Sequence, residues 1–261
     1  MSLRAPAWLK RLRGAPSIAV SESRGLRSLH IGGEAIQSAM RIDDPFALAL
    51  DYTRCMMGGL LLHPRPRQAL MIGLGGGSLA KFFHRRLHRT QVRAVECDAR
   101  VVEAARRHFA LPPDDDRLTV EIGDGCAALA PEGCDLLMVD GFDDEAQAPG
   151  LVSQDFYDAA HFALSEPGLM VVNFMSDDRS LKRFLGRIEQ AFGGAPVLLP
   201  ALSDPNLIAF APRGGPDRIA WTLLEARAEK LETRLGLPFV RMLRTLRRAN
   251  GGKGAELVLR G

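Results

Sequence analysis

Residues 68–98, QALMIGLGGGSLAKFFHRRLHRTQVRAVECD, decide the fold. Ala69 to Ile72 is a short apolar run that ends in Gly73, Gly75, Gly76 and Gly77, after which Leu79, Phe82, Phe83 and Leu87 recur at helical spacing. That order is strand, glycine loop, helix. A second apolar run, Val92 to Val95, closes on Glu96, about 20 residues beyond the first glycine, where a nucleotide-binding α/β unit carries its ribose-binding acid. Glycines let the backbone approach a ligand closely, and the N-terminus of the following helix favours negative or hydroxyl-rich groups. A carboxylate at the next strand end can accept from both ribose hydroxyls.

The 261 residues, 46% of them hydrophobic, suffice for one large domain with a smaller appendage. The net charge of +3 comes from arginines spread over both ends of the chain, so a nucleic-acid partner is not indicated. Cys55, Cys97, Cys126 and Cys134 form no CxxC pair and have no histidine at ligand spacing. Reduced, mostly buried thiols are expected, with neither a zinc site nor a disulfide framework. The basic N-terminus lacks an apolar signal core, and no apolar run reaches the ~18 residues of a membrane span. A soluble, cytoplasmic protein without a membrane partner is the expectation.

Residues 1–16 read as a flexible basic arm. Ile18 to Val20, Leu26 to Ile31 and Ala35 to Gln37, separated by Arg24-Gly25 and Gly32-Gly33, predict a small antiparallel hairpin or meander. Asp43-Asp44-Pro45 reads as a helix start, with the helix running to His63-Pro64, so residues 17–62 form an N-terminal β element with a lead-in helix. Residues 63–250 then alternate strand and helix. Helix is expected over Ala99 to Phe109, strand over Leu118 to Ile122, a short helix after Gly125, and strand over Asp135 to Val139. There follow a helix from the Ser153 cap to Leu164, strand Leu169 to Phe174, helix Asp178 to Phe192, and strands Val197 to Leu199 and Leu207 to Ala211. This pattern predicts a doubly wound, mostly parallel seven-stranded α/β sheet whose closing pair is antiparallel. Amphipathic helices over Asp217 to Leu235 and Phe239 to Arg248 are expected to dock on it, and 251–261 reads as a frayed tail.

In such a sheet, ligands sit beyond the carboxyl ends of the strands. Those ends carry Gly73 to Ser78, then Glu96, then Asp124 and Gly125, then Asp140, with Asp143, Asp144 and Glu145 close behind. The succession GLGGGS, VECD, GDG, VDGFD, LVSQDFY resembles the spermidine synthase family, the polyamine aminopropyltransferases, on a class I methyltransferase-like fold. His30-Ile31-Gly32-Gly33-Glu34 with Gln37, and His63-Pro64-Arg65-Pro66, are similar to that family's N-terminal β segment and its lead into the first strand. The resemblance implies that Gly73, Gly75 and Gly77 line a thioether nucleotide, Glu96 holds its ribose, Asp124 with Gly125 meets the adenine, and Gln37 closes over it. It also implies Asp140 as general base and Asp143 as the acid that grips an amine acceptor. The co-substrate would be decarboxylated S-adenosylmethionine or S-adenosylmethionine itself, with no tightly bound cofactor and no metal. The partners would be that nucleotide and a polyamine, and a homodimer is compatible with the resemblance.

The chain departs from the family pattern at three places. A loop aspartate that meets the aminopropyl amine falls on Gly76, a tyrosine of the acceptor pocket aligns with Leu48, and the residues between the two acids are Gly141-Phe142. The nucleotide half of the pattern is kept and the amine half is thinned. An S-adenosylmethionine-dependent methyltransferase, and a non-catalytic nucleotide-binding protein of the same fold, therefore stand as alternatives. His84 and His88 lie four apart without an HExxH glutamate and read as solvated helix, and Ser78 sits in no nucleophile elbow.

Overall fold

The computed structural model describes residues 16–141, 148–252 and 254–259. Three short strands, β1 (Ile18–Ser23), β2 (Leu26–Ile31) and β3 (Ile36–Arg41), form an antiparallel meander. Arg24 (φ 51°) and Gly25 (φ 77°) both take left-handed backbone, the requirement of a two-residue hairpin turn that follows the strand twist. The expected helix start at Asp43 is not used. Asp43 instead takes the Arg41 guanidinium at 2.7 Å and Asp44 closes a turn on Phe46 and Ala47, so the helical run begins at Asp51. It comprises α1 (Asp51–Met56) and α2 (Gly59–Leu62).

The main sheet contains β4 (Gln68–Ile72), β5 (Gln91–Glu96), β6 (Leu118–Ile122), β7 (Cys134–Val139), β8 (Leu164–Met175), β9 (Val197–Pro200) and β10 (Asn206–Arg213). Their order is β6-β5-β4-β7-β8-β10-β9; the first five are parallel, and β10 runs antiparallel between β8 and β9. Apolar runs made β4, β7 and β8 legible as central strands, because helices cover both their faces. The strand order reverses between β4 and β7.

On one face, α3 (Ser78–Arg86) and the α1–α2 pair share a core with β4 and β8 through Phe82, Phe83, Leu60, Leu61 and Val171. On the other, α5 (Gln154–Ala163) and α6 (Leu181–Phe192) supply Phe156, Tyr157, Phe184 and Ile188. Ser153 caps α5 by accepting from the Phe156 amide at 3.1 Å, as its sequence position predicts. Between main sheet and meander lies α4 (Ala99–His108), whose Val101 and Ala104, with Phe109, meet Leu29 and Met40. The short helix expected after Gly125 is a turn. Asp124 Oδ1 accepts from the Cys126 amide at 2.8 Å, and Pro131 follows too soon for a helix to develop.

Two helices, α7 (Trp221–Leu235) and α8 (Phe239–Ala249), complete the first face. The tail expected to fray does not. β12 (Glu256–Val258) pairs antiparallel with β11 (Arg218–Ala220), and Leu257 is 1% exposed. Leu257→Ala should accordingly lower unfolding free energy by roughly 2–4 kcal/mol, measured by urea denaturation. A surface-like change below about 0.5 kcal/mol would contradict this packing.

Lys81 on α3 is 1% exposed, and its Nζ donates to the Phe109 carbonyl at 2.5 Å. Burial lowers its pKa from 10.5 to about 8. A lysine depressed on folding costs stability in full below its folded pKa, and the cost is relieved as pH rises from about 8 towards 10.5. Wild-type stability should climb across that window, and Lys81→Met should be flat over it by comparison, in chemical denaturation at a series of pH values. Parallel curves for the two proteins would refute the assignment.

Candidate active site

The glycine loop is shaped by collisions that any side chain would cause. Gly73 (φ 90°) donates to Val95 O at 2.9 Å, and a Cβ there would stand 2.2 Å from Asp140 O, so β4 and β7 can end side by side only with glycine at this point. Gly75 (φ 52°) and Gly77 (φ 72°) complete the turn into α3. Strand β3 lies directly against the loop. Ser38 is the nearest side chain to Gly75, and Ser78 Oγ donates to Ala39 O at 3.4 Å. A Cβ on Gly76 would meet Phe109 and Ser38 Oγ, both at 2.9 Å. A side chain at the position that lacks a carboxylate would thus require Phe109 and Ser38 to shift.

Glu96, at the end of β5, is almost fully buried. Its Oε2 accepts from the Leu74 amide and its Oε1 from the Asp98 amide, both at 3.0 Å. It locks the glycine loop to the second strand while keeping carboxylate lone pairs to spare, since each oxygen can accept twice. Next along, Gly123 N donates to Glu96 O at 2.9 Å, which sets Asp124 and Gly125 beside β5. A Cβ on Gly125 would lie 2.3 Å from Ile72 Cγ2, so this turn too packs against the end of β4. The structure thus brings Gly73, Gly75, Gly77, Glu96, Asp124 and Gly125 to one edge. Gln37 is on β3 next to Ser38, and its carbonyl accepts from the Tyr52 hydroxyl at 3.4 Å. Asp143 and Phe142 lie outside the described residues.

Asp140 follows β7, with its amide donating to Ile72 O at 2.9 Å. Asn173, near the carboxyl end of β8, donates from Nδ2 to Asp140 Oδ1 at 2.8 Å and accepts from Asn206 Nδ2 at 3.0 Å. The Tyr52 phenol, whose proton goes to the Gln37 carbonyl, lies close enough to the carboxylate to feel its charge. Burial raises the Asp140 pKa above its ordinary value, and the bond from Asn173 with the nearby Tyr52 phenol opposes this without cancelling it. Burial, and then the Asp140 charge, push the Tyr52 phenol well up, so it remains a donor. Tyr52 is itself fixed from the far end of the sheet. Its amide donates to Asp204 Oδ2 at 3.0 Å, while Asp51 Oδ2 accepts from the Ser203 amide at 2.8 Å.

Leu48, aligned with the missing tyrosine, is buried in the hydrophobic core, and the phenol beside Asp140 is that of Tyr52. Tyr52, Asn173 and Asn206 are the residues that sequence reading missed. One signal was available: an asparagine inside the apolar run Leu169 to Phe174 has to find a buried partner. The histidine pair dissolves. His84 Nε2 meets Asp115 Oδ2 at 2.7 Å, whereas His88 lies beyond the end of α3. Two of the four free thiols, Cys97 and Cys126, are exposed rather than buried. Among the described residues no cluster of three metal-ligating side chains occurs, and no helix is long and apolar enough to cross a membrane.

The model of the spermine/spermidine synthase domain matches residues 50–181. The polyamine aminopropyltransferase of Chromobacterium violaceum is 36% identical over 246 residues, 94% of each chain. The chain belongs to the spermine/spermidine synthase family. The seven-stranded sheet of this family member superposes on a probable spermidine synthase from Corynebacterium glutamicum with a TM-score of 0.68 at 20% identity, over 94% of this chain and 93% of that one. Human methyltransferase-like protein 13, solved with SAH, gives a TM-score of 0.64 at 28% identity over 72% of this chain and 93% of that one. Both share the fold. As a family member, the chain is a transferase with a mixed α/β, methyltransferase-like architecture.

Proposed function

We propose that this chain transfers the aminopropyl group of decarboxylated S-adenosylmethionine to an amine, with Asp140 taking the proton. The placement of Asp140 supports this reading above all: at the strand-order reversal, against Gly73, held by Asn173 and with the Tyr52 phenol near it. The acceptor nitrogen attacks the carbon beside the sulfonium. A C–N bond forms as the C–S bond breaks, and that electron pair returns to sulfur, leaving neutral methylthioadenosine. Only a neutral amine has the lone pair to attack, and alkylamines, like lysine, hold their proton to pH ~10.4. A carboxylate made more basic by burial collects the proton the nitrogen sheds. Its negative charge also favours the cationic sulfonium and ammonium beforehand.

In this scheme Gly73, Gly75 and Gly77 line the nucleotide, Glu96 accepts from the ribose hydroxyls, Asp124 with Gly125 meets the adenine, and Gln37 covers it. Asp143 holds the far cation of a polyamine. The reaction belongs in the cytoplasm, where a diamine and the nucleotide are both dissolved, and a homodimer is its assembly. Purified protein given a diamine and decarboxylated S-adenosylmethionine should release methylthioadenosine. Absence of turnover over a panel of di- and polyamines would remove the proposal.

One observation favours a second reading, methyl transfer from S-adenosylmethionine: Gly76 offers no carboxylate to an aminopropyl ammonium, and Phe109 and Ser38 pack closely over it. The two sulfonium nucleotides discriminate. Tighter calorimetric binding of S-adenosylmethionine, with S-adenosylhomocysteine as product, would establish the methyltransferase instead.

A further inference from the structure

Helix α8 carries Arg241, Arg244 and Arg248 at spacings of three and four, which puts the three guanidinium groups on one face over about 10 Å of helix. With Thr245, Ala201 and Leu202 they line an open groove of about 450 Å³. All three arginines are exposed, and among the described residues none makes an ion pair or a hydrogen bond. Their neighbour Arg247 is satisfied separately, by Glu225, the Gly252 carbonyl and the Trp221 ring.

Helix electrostatics accounts for Arg248, in the last turn, where a cation is favoured. It does not account for Arg241. That residue is in the first turn, at the positive end of the helix, where a cation is disfavoured and where α8 carries no acidic residue. An anion in the groove reverses the sign of this cost and suits the helix N-terminus as well. Guanidinium groups take phosphate oxygens two at a time, and several on one rigid face match a short chain of phosphates better than one isolated ion. The face is rigid. Asn250, at the end of α8, accepts from Leu198 N at 2.9 Å and donates to Leu198 O at 2.7 Å, clamping the helix to the edge strand β9.

We infer that this groove, at the β9 end of the sheet and four strands away from the glycine loop, is a binding site for a small polyphosphate anion. Its wall, Ala201 and Leu202, begins the β9–β10 loop whose Ser203 and Asp204 hold Asp51 and Tyr52. An occupied groove therefore steadies the loop that seats Tyr52 beside Asp140.

Inorganic tripolyphosphate is the probe, titrated calorimetrically into the full chain against sodium sulfate of equal ionic strength. One site is expected, weakened about tenfold or more in the triple variant Arg241→Gln, Arg244→Gln, Arg248→Gln, as loss of charge-assisted bonds requires. A control variant, Arg89→Gln, Arg218→Gln, Arg234→Gln, loses the same charge elsewhere and should bind as wild type. Equal weakening in both variants, or no wild-type binding beyond that of sulfate, would overturn the site. An oligoribonucleotide outcompeting tripolyphosphate would overturn its assignment to a small molecule. Backbone amide exchange should slow across 201–206 on adding the probe to wild type, and unchanged exchange there would refute the link to the loop. None of these readouts needs turnover, so they stand or fall independently of the proposed reaction.

Discussion

Asp140→Asn should lower kcat/KM for aminopropyl transfer by about 10²- to 10⁴-fold, the range that a positioned proton acceptor supplies. The change is nearly isosteric, and it removes a buried charge while leaving a partner for Asn173, so stability should stay level or rise slightly. Nucleotide affinity, which the proposed scheme assigns to the other strand ends, should change little. The pH profile gives a sharper signature. Because burial raises the Asp140 pKa, wild-type activity should fall on the acid side at a higher pH than an ordinary aspartate would set, as the proposed base becomes protonated. The residual activity of the variant should lack that limb. A variant that keeps both wild-type turnover and the acid limb would show that another group, or water alone, takes the proton.

Gly73→Ala should be among the most damaging single changes in the chain. Two costs combine there. A left-handed backbone (φ 90°) is imposed on a residue with a Cβ, and that Cβ would sit 2.2 Å from the Asp140 carbonyl oxygen, in a place where neither strand can yield. Together they amount to about 3–5 kcal/mol, a large fraction of the ~5–15 kcal/mol that holds a typical domain folded. Gly236→Ala separates the two. Its φ is 70° but nothing lies within 4 Å of the added carbon, so it should cost only the conformational part, about 1 kcal/mol. Thermal and urea melts of the two variants measure the difference, and near-equal losses would mean the β4–β7 approach is looser than described. If Gly73→Ala is insoluble while Gly236→Ala purifies normally, the ordering still holds.

The parts of the architecture that could be read from sequence are those in which local pattern and burial agree. Val92 to Glu96 and Cys134 to Asp140 are apolar runs that stop at an acid, and both are parallel strands delivering that acid to the same edge. Reading failed where a local signal was diverted to a tertiary use. Asp43-Asp44-Pro45 has the composition of a helix start, but Arg41 claims the first carboxylate and a turn claims the second. Glu256 to Val258 follows two glycines and reads as tail, yet its leucine completes a core on the far side of α7. Within the site, the glycines and acids were visible because each ends a strand. The supporting side chains were not. Asn173 and Asn206 find Asp140 only through the pairing of β8 with β10, and Tyr52 finds it only because the α1 helix is pinned to the β9–β10 loop. No local periodicity encodes such meetings.

The insertion of β10 between β8 and β9 sets a timetable for the enzyme's birth. A chain still emerging from the ribosome with residues up to about 200 made has the glycine loop, Glu96 and Asp140. It lacks the amide that anchors Asn173 and the aspartate, 152 positions after Tyr52, that seats the phenol. Contacts of that sequence separation close late, because the loop entropy must be met before they contribute. The carboxylate proposed as proton acceptor is thus finished by the last strand of the main sheet to be synthesised. On that proposal, catalytic competence becomes a report that the sheet is complete.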